Sequence, residues 1–454
     1  MKFLILDIYP NDDWRLVKDT AGGYGTGNDF GDSFFSQLIN KFVSKMISMP
    51  PMYAIYLYSI IKKKGYEVSY SRKVEESKIK EADYIIMPTS IIAHESEKKI
   101  LLSLSNQKKK IFVVGVFGNV LNKEYNLPNT FIVKGEPENF FLNLIYDKNE
   151  INLYFIEGTK QRNSLNGMVE NIDSIPFPDW KYYTKKFPLK NNFLGFNSKT
   201  SIPILASRGC PYSCSYYCTY PLQQGKKVRY RSAENVIEEI KYWIKNLNTN
   251  KFAFRDPVFS INRKFTVLLC EKIIKENLKI EFLIETHLKN LDDELIILLK
   301  KAGLKMVYVG IESSNSDVLK GINRFTVDND QQYKIIKKLK KSGIYIKSMF
   351  MFGSPEDTED TIKKTIEYSK FLPNQLVQYS VFTPYPGTPI FNEFKDKIIA
   401  KNYEKFNQYN LVFEHKLLSN EKLVKLKNLG YKKFYFDMRN FLVIFLSFVS
   451  FFRK

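Results

Sequence analysis

Arg208-Gly209-Cys210-Pro211-Tyr212-Ser213-Cys214-Ser215-Tyr216-Tyr217-Cys218-Thr219-Tyr220-Pro221 places three of the chain's four cysteines within nine residues. Three thiolates on one tight loop suit a four-iron four-sulfur cluster whose fourth iron has no protein ligand and stays open to an exogenous one. A structural zinc calls for four sulfur or nitrogen ligands, and no histidine lies near this loop. A disulfide leaves one thiol over, and nothing at the N-terminus reads as a signal peptide. The remaining Cys270 sits in a helical-looking run, 265–274, and reads as a small buried apolar residue.

The flanks narrow the reading. Residues 208–231, with Gly-Cys-Pro-Tyr-Ser-Cys, Tyr217 before the last cysteine and the trailing Arg229-Tyr230-Arg231-Ser232, resemble the cluster loop of radical S-adenosylmethionine (SAM) enzymes. That superfamily spaces its cysteines C-x-x-x-C-x-x-C, whereas Ser215-Tyr216-Tyr217 sets three residues between the second and third. The resemblance implies Cys210, Cys214 and Cys218 as cluster ligands and adenine near Tyr217.

From residue 201 the pattern is six repeats of strand and helix, with candidate strands at 202–206, 252–254, 280–284, 306–309, 344–351 and 376–382. Parallel strands joined by helical crossovers give a partial (β/α)6 barrel over 201–392, with ligands at the carboxyl ends of its strands. Asp292 to Ala302 illustrates the separating helices, with acids in the first turn, Lys300-Lys301 in the last and Gly303 as the stop.

The strand ends carry Arg255-Asp256-Pro257, Glu285-Thr286-His287, Glu312-Ser313, Gly353-Ser354-Pro355-Glu356 and Pro384-Tyr385-Pro386-Gly387-Thr388. They match the superfamily's post-strand motifs, and the resemblance implies cofactor contacts from Tyr217, Asp256, Glu285 and Glu312. It implies further contacts from Ser313, Gly353, Pro355 and Pro386. SAM needs a carboxylate or hydroxyl for its ribose and a polar partner for its amino group. Glu312 is the first choice, Glu285 the second, and Asp256 is a candidate for the amino group. Each is equally a carboxylate able to cap the next helix. His287 is the one candidate proton relay, with a structural role as the competing reading.

Residues 1–150 alternate strands and helices as a doubly wound parallel sheet does. Strands are expected at 3–8, 67–70, 84–87 and 111–115, with an edge strand at 131–133. Pro50-Pro51 opens an apolar helix that ends in Lys62-Lys63-Lys64-Gly65. The order Pro50-Pro51, Gly65-Tyr66-Glu67-Val68, Ala82-Asp83-Tyr84 and Gly135-Glu136-Pro137-Glu138 resembles the cobalamin-binding domain that precedes many radical SAM modules. The D-x-H-x-x-G motif of histidine-ligated cobalamin is missing, and His94 stands alone at a helix start. The glycine-rich run 22–27 in a long first loop reads either as a backbone approach to a ligand or as a flexible loop. Residues 151–200 form a connector in which Pro176 and Pro178 hold an extended segment.

The net charge of +21 and pI near 9.4 do not make a nucleic-acid binder, because the lysines are spread over every segment rather than gathered in a stripe. Few cysteines and a cluster loop point to a reducing cytoplasm. Residues 393–454 read as a helical extension whose apolar end, 441–452, spans about 18 Å as a helix against a bilayer core of about 30 Å. It is expected as an interfacial anchor at the inner membrane face or as a docked helix.

The resemblance implies an enzyme that cleaves SAM to a 5′-deoxyadenosyl radical and uses cobalamin to methylate a small or lipid-like molecule. A flavodoxin or ferredoxin would be its electron donor. A radical SAM cyclase or rearrangement enzyme is the alternative, and a non-catalytic iron–sulfur redox sensor is the rival of another class.

Overall fold

The computed structural model describes residues 1–9, 50–157, 167–189 and 200–437 without a break, with isolated positions between 16 and 47 and at 165 and 440. The apolar tail 441–452 and positions 22, 23 and 25 of the glycine run 22–27 lie outside the described residues. Among the described residues no helix is long and apolar enough to cross a membrane.

The first sheet holds five parallel strands, β1 (Lys2–Leu6), β2 (Glu67–Ser71), β3 (Tyr84–Pro88), β4 (Lys110–Val114) and β5 (Thr130–Ile132). Their order is β2-β1-β3-β4-β5. The central strands are almost wholly apolar because helices cover both faces, and β5 lies at the edge as its position in the sequence predicts. Helix α1 (Met52–Lys63) starts after Pro50-Pro51 and ends in Lys62 and Lys63, with Gly65 at φ +86° just beyond. Helix α2 (His94–Asn106) follows β3. Helix α3 (Lys148–Glu157) lays Phe155 on Phe112 and Tyr84, with ring centroids 4.9 and 6.0 Å apart.

The connector docks rather than dangles. Its Ile175-Pro176-Phe177-Pro178 stretch is not helical, and Asp179 then caps a short helix by accepting from the Tyr182 amide at 2.9 Å. The Tyr182 ring stacks on Tyr58 of α1 at 4.0 Å, and Lys62 pairs with Asp179 at 2.8 Å.

The second sheet holds six parallel strands, β6 (Ile202–Ile204), β7 (Lys251–Phe254), β8 (Glu281–Thr286), β9 (Leu304–Glu312), β10 (Tyr345–Phe352) and β11 (Leu376–Val381). They lie side by side in chain order, the open barrel that the six repeats predict. Helix α4 (Asp293–Ala302) follows its sequence punctuation: Asp292 accepts from the Leu295 amide at 2.8 Å, and Gly303 stops it at φ +112°.

An open barrel leaves a free edge at β11, and helix α5 (Asn420–Tyr435) covers it. The Tyr435 hydroxyl bonds the Val377 amide and carbonyl at 3.3 and 3.0 Å. Four residues earlier, the Tyr431 hydroxyl does the same for Tyr379 at 3.0 and 3.3 Å. Two phenols one helical turn apart thus stand in for a seventh strand.

Candidate cluster and cofactor site

The cysteine loop begins where β6 ends. Its stem is a short antiparallel ladder of Ser207–Arg208 with Arg229–Tyr230. Gly209, at φ +100°, could not carry a side chain, since a Cβ would lie 2.2 Å from the Lys227 carbonyl oxygen. Asp256, just beyond β7, is buried and turned toward this stem. Its carboxylate accepts from the Ser207 hydroxyl at 2.6 Å and the Ala206 amide at 3.1 Å. Burial pushes its carboxyl up to about 6. Asp256 therefore fixes the base of the loop, a task distinct from both sequence readings of it.

The extra residue of the cysteine motif is absorbed by a helical turn. Residues Ser213–Tyr216 form a 3-10 segment, and the Cys218 amide bonds the Cys214 carbonyl at 2.8 Å. A four-residue spacing on one turn puts the two thiols side by side, and they hydrogen-bond to each other. That bond and the nearby Arg324 guanidinium bring the Cys214 thiol down to about 7, while the Cys218 thiol is pushed up by the same partner and by burial. Arg324 Nη1 lies 3.8 Å from Cys214 Sγ. Cys210 is buried, which raises its thiol, and it senses the charge of Cys214. Cys270 is buried in the apolar core of its own helix, where burial raises its thiol to about 12.

The donor set fits an iron–sulfur cluster held at three corners: three thiols from one loop with a guanidinium beside them to balance thiolate charge. Among the described residues no three His, Cys, Asp or Glu side chains, these cysteines included, are grouped closely enough to hold a single metal ion.

Glu312 closes β9 with φ at +65° beside a register shift against β10. A non-glycine residue in the left-handed region costs about 1 kcal/mol or more, and such outliers gather at functional sites. Here the twist folds the carboxylate back over Gly310, where a Cβ would meet Glu312 Oε1 at 2.5 Å and Arg324 Nη2 at 2.8 Å. Arg324 pairs with Glu312 at 3.6 Å and donates to the Gly310 carbonyl at 2.8 Å. Burial raises the Glu312 carboxyl against the pull of Arg324. Tyr217 stands within the field of both, its phenol raised by burial and by Glu312, and its ring lies 6.1 Å from Phe382. Tyr217, Glu312, Arg324 and Cys214 thus form one group.

Other candidates fall elsewhere. His287 has both nitrogens engaged, Nε2 with the Phe325 carbonyl at 2.9 Å and Nδ1 with the Lys289 amide at 3.2 Å. Burial and Arg324 lower it to about 4, a neutral ring that braces the loop. Glu285 lies deeper in the barrel, its carboxyl raised by burial. Ser313 is buried against Thr365 at 3.2 Å. Gly353 leaves space that Leu423 of α5 fills, and the neighbouring Ser354 carbonyl accepts from His415 at 2.9 Å. The turn carrying Gly353 and Pro355 is thus a seat for the C-terminal extension. The Pro386 carbonyl accepts from the Tyr24 hydroxyl at 2.6 Å, which ties the first long loop to the barrel.

The two domains meet in a buried clamp. Arg229 grips both oxygens of Glu136 at 2.8 Å, and Arg208 reaches Glu136 at 3.3 Å and Glu138 at 2.9 Å. Burial alone would raise Glu136, yet Arg208 and Arg229 hold its carboxyl below the ordinary value. Gly135-Glu136-Pro137-Glu138 and the loop stem are therefore two halves of one joint. Beside it a cleft is lined by Thr89, Val114 and Gly115 at the strand ends of the first sheet and by Leu205 and Gln224 of the barrel. The crevice after β1 is closed by the chain itself: buried Lys18 pairs with Asp7 at 2.8 Å and Glu97 at 2.9 Å.

Gly310, Arg324 and the Arg208/Arg229 clamp escape the motif reading. A compositional signal does mark the arginines. Of 69 basic residues only 11 are arginine, and four of those are Arg208, Arg229, Arg231 and Arg255.

Residues 204–369 match the Radical SAM superfamily. The matched segment, a Radical SAM domain, carries the cysteine loop between β6 and β7 and the strands β7 to β10. Among curated proteins it is similar to bacteriochlorophyllide d C-12(1)-methyltransferase of Chlorobaculum tepidum, 28% identical over 70% of this chain and 67% of that protein. It is also similar to the anaerobic magnesium-protoporphyrin IX monomethyl ester cyclase of Cereibacter sphaeroides, 26% identical over 86% of this chain and 67% of that one. The chain thus spans about two thirds of the length of these relatives. Two solved structures share the fold across both domains. The radical SAM methyltransferase TsrM from Kitasatospora setae, with cobalamin and a [4Fe-4S] cluster bound, is 14% identical over 97% of this chain and 82% of that one, with TM-score 0.61. OxsB with aqua-cobalamin and SAM bound is 13% identical over 94% and 65%, with TM-score 0.64.

Proposed function

We propose that this chain is a cobalamin-dependent radical SAM methyltransferase acting on a small or lipid-like molecule. Residues 1–150 would hold the corrin, 151–200 the docked connector, 201–392 the cluster and SAM, and 393–454 the extension. The observation that carries the reading is the Glu136–Arg229 clamp, which fixes the cluster loop against the carboxyl edge of the first sheet and leaves a shared cleft beside it. When bound, the cluster and SAM supply a radical that abstracts hydrogen, and cobalamin supplies a methyl group.

The residues on hand fit that assignment. Gly115, at φ +101°, and Thr89 offer small surfaces at the strand ends where ligands of doubly wound sheets bind. Each of the three histidines has its ring nitrogens hydrogen-bonded, so the corrin would sit without a protein nitrogen on cobalt. Glu312 and Tyr217 would bind the nucleoside of SAM, and Arg324 its carboxylate or a thiolate. Lys18, filling the crevice after β1, directs the corrin toward the barrel instead. A small flavoprotein or ferredoxin would deliver the electron, and the tail 441–452 would touch the inner membrane face.

The match to the cyclase over 86% of this chain favours a second reading, ring closure on the same scaffold. Anaerobic reconstitution with cluster and hydroxocobalamin, then methyl-labelled SAM, separates them. A cobalamin spectrum of base-off type, unchanged in His94→Ala, and label recovered in product support methyl transfer. No cobalamin retained after dialysis at tens of micromolar would overturn it.

A further inference from the structure

Below the Glu312–Arg324 pair the barrel interior holds a row of charged side chains that the proposed chemistry leaves unused. Glu285 is in register with Tyr308 of β9, and Tyr308 with Lys347 of β10. Two residues past the Ala253–Leu283 pair, Arg255 comes level with Glu285. Side chains alternate across a strand. Phe254, Ile284, Val307 and Ile346 are buried in the apolar core, so Arg255, Glu285, Tyr308 and Lys347 share the opposite, inner face. The row lies one inward residue, about 7 Å, below Gly310 along β9.

A structural ion pair would bring opposite charges into contact. Among the described residues no such pair within 4.0 Å joins Arg255 or Lys347 to Glu285. Arg255 Nε is buried without a hydrogen-bond partner. The Lys347 ammonium rests 5.1 Å from the centre of the Tyr308 ring. The three ionic groups nonetheless feel one another: burial lowers Lys347 to about 8, Glu285 opposes that shift and Arg255 adds to it. Two cations facing one carboxylate leave one positive charge without a protein partner, on side chains that are only half-buried and so within reach of a ligand that would complete them.

We propose that Arg255 and Lys347 form a subsite for an acid group, carboxylate or phosphate, of the substrate. Glu285 keeps the two cations apart, and Tyr308 forms one wall. The assignment rests on the methyltransferase reading in that it seats the substrate inside the barrel, acid group down. The carbon to be attacked would then lie toward Glu312 and the cluster loop. It narrows the substrate class to organic acids and phosphate esters, including lipid-like ones.

Acetylation of Lys347 tests it on the cluster-loaded full chain with SAM bound. Acetic anhydride at pH 8.5, read by peptide mass spectrometry, is applied in chloride and in acetate or inorganic phosphate at equal ionic strength. Lys347 is expected to label in chloride and to be protected at least tenfold by an anion, by phosphate alone if the ligand is a phosphate ester and by acetate if it is a carboxylic acid. Arg255→Gln should raise the half-protecting concentration at least tenfold with iron content retained. If that variant loses iron, Arg255→Lys takes its place and should raise it at least threefold. Equal labelling in all three salts, unchanged protection in the arginine variants, or no labelling at all, which would mean that no small ligand reaches the ammonium, would overturn the subsite. The readout needs no turnover, so a wild-type protein that makes no 5′-deoxyadenosine would sink the methyltransferase reading and leave this result standing.

Discussion

At the scale of single residues, Gly310 is the position on which the cofactor group turns. Its backbone is not in the left-handed region, so the effect of an added methyl is purely steric. A Cβ there meets Glu312 Oε1 at 2.5 Å and Arg324 Nη2 at 2.8 Å. Gly310→Ala should therefore separate that pair and weaken SAM binding by about tenfold or more, a loss of about 1.4 kcal/mol, with iron content unchanged. Isothermal titration of cluster-loaded protein checks it, and equal affinity would remove Glu312 and Arg324 from the SAM site. Asp256 gives a pH test. Burial raises its carboxyl to about 6, so the folded chain holds that proton to higher pH than the unfolded chain does. Its contribution is fully present below about pH 4 and is lost as pH rises through about 6, up to about 3 kcal/mol in all. Denaturant melts of apoprotein between pH 4 and 7 should show that slope in the wild type and lose it in Asp256→Asn. The cysteines and Glu312 were legible because their chemistry is local in sequence. Arg324 and Gly310 were not, since their roles arise only where the chain after β9 returns to the cysteine loop.

Among elements, the joint between loop stem and first domain is the most consequential. Glu136 is buried and engaged by two guanidiniums. Arg229→Met leaves its carboxylate half-compensated in a dry site, which should cost about 3 kcal/mol or more. Lost iron retention together with a lowered melting temperature would follow. A normal melt would show that the clamp is incidental. The free edge of β11 is handled differently. Tyr431→Phe with Tyr435→Phe strips the hydroxyls from two backbone amides and two carbonyls. At about 1 kcal/mol per bond the double variant should lose about 2–4 kcal/mol, without change in cluster content. Strand count, the Pro50-Pro51 helix start and the Gly303 stop were all readable, because periodicity and capping are short-range signals. The meeting of Gly135-Glu136-Pro137-Glu138 with Arg229 was not, for it joins segments 93 residues apart.

For the whole molecule, two parallel sheets present their carboxyl edges to a common cleft, and the cysteine loop is the piece that belongs to both. Such a layout serves a reaction in which two cofactors address one substrate, whereas a redox sensor would need only the loop. The strand-end motifs made that arrangement foreseeable in outline. How the first loop is anchored was not, because Tyr24 reaches Pro386 across 362 residues. The most direct test is 5′-deoxyadenosine formation by anaerobically reconstituted full-length protein with SAM and dithionite. Deoxyadenosine is expected from wild type and from Cys270→Ala, and none from alanine variants of Cys210, Cys214 or Cys218. A full complement of iron and sulfide with no deoxyadenosine under any reductant would contradict it.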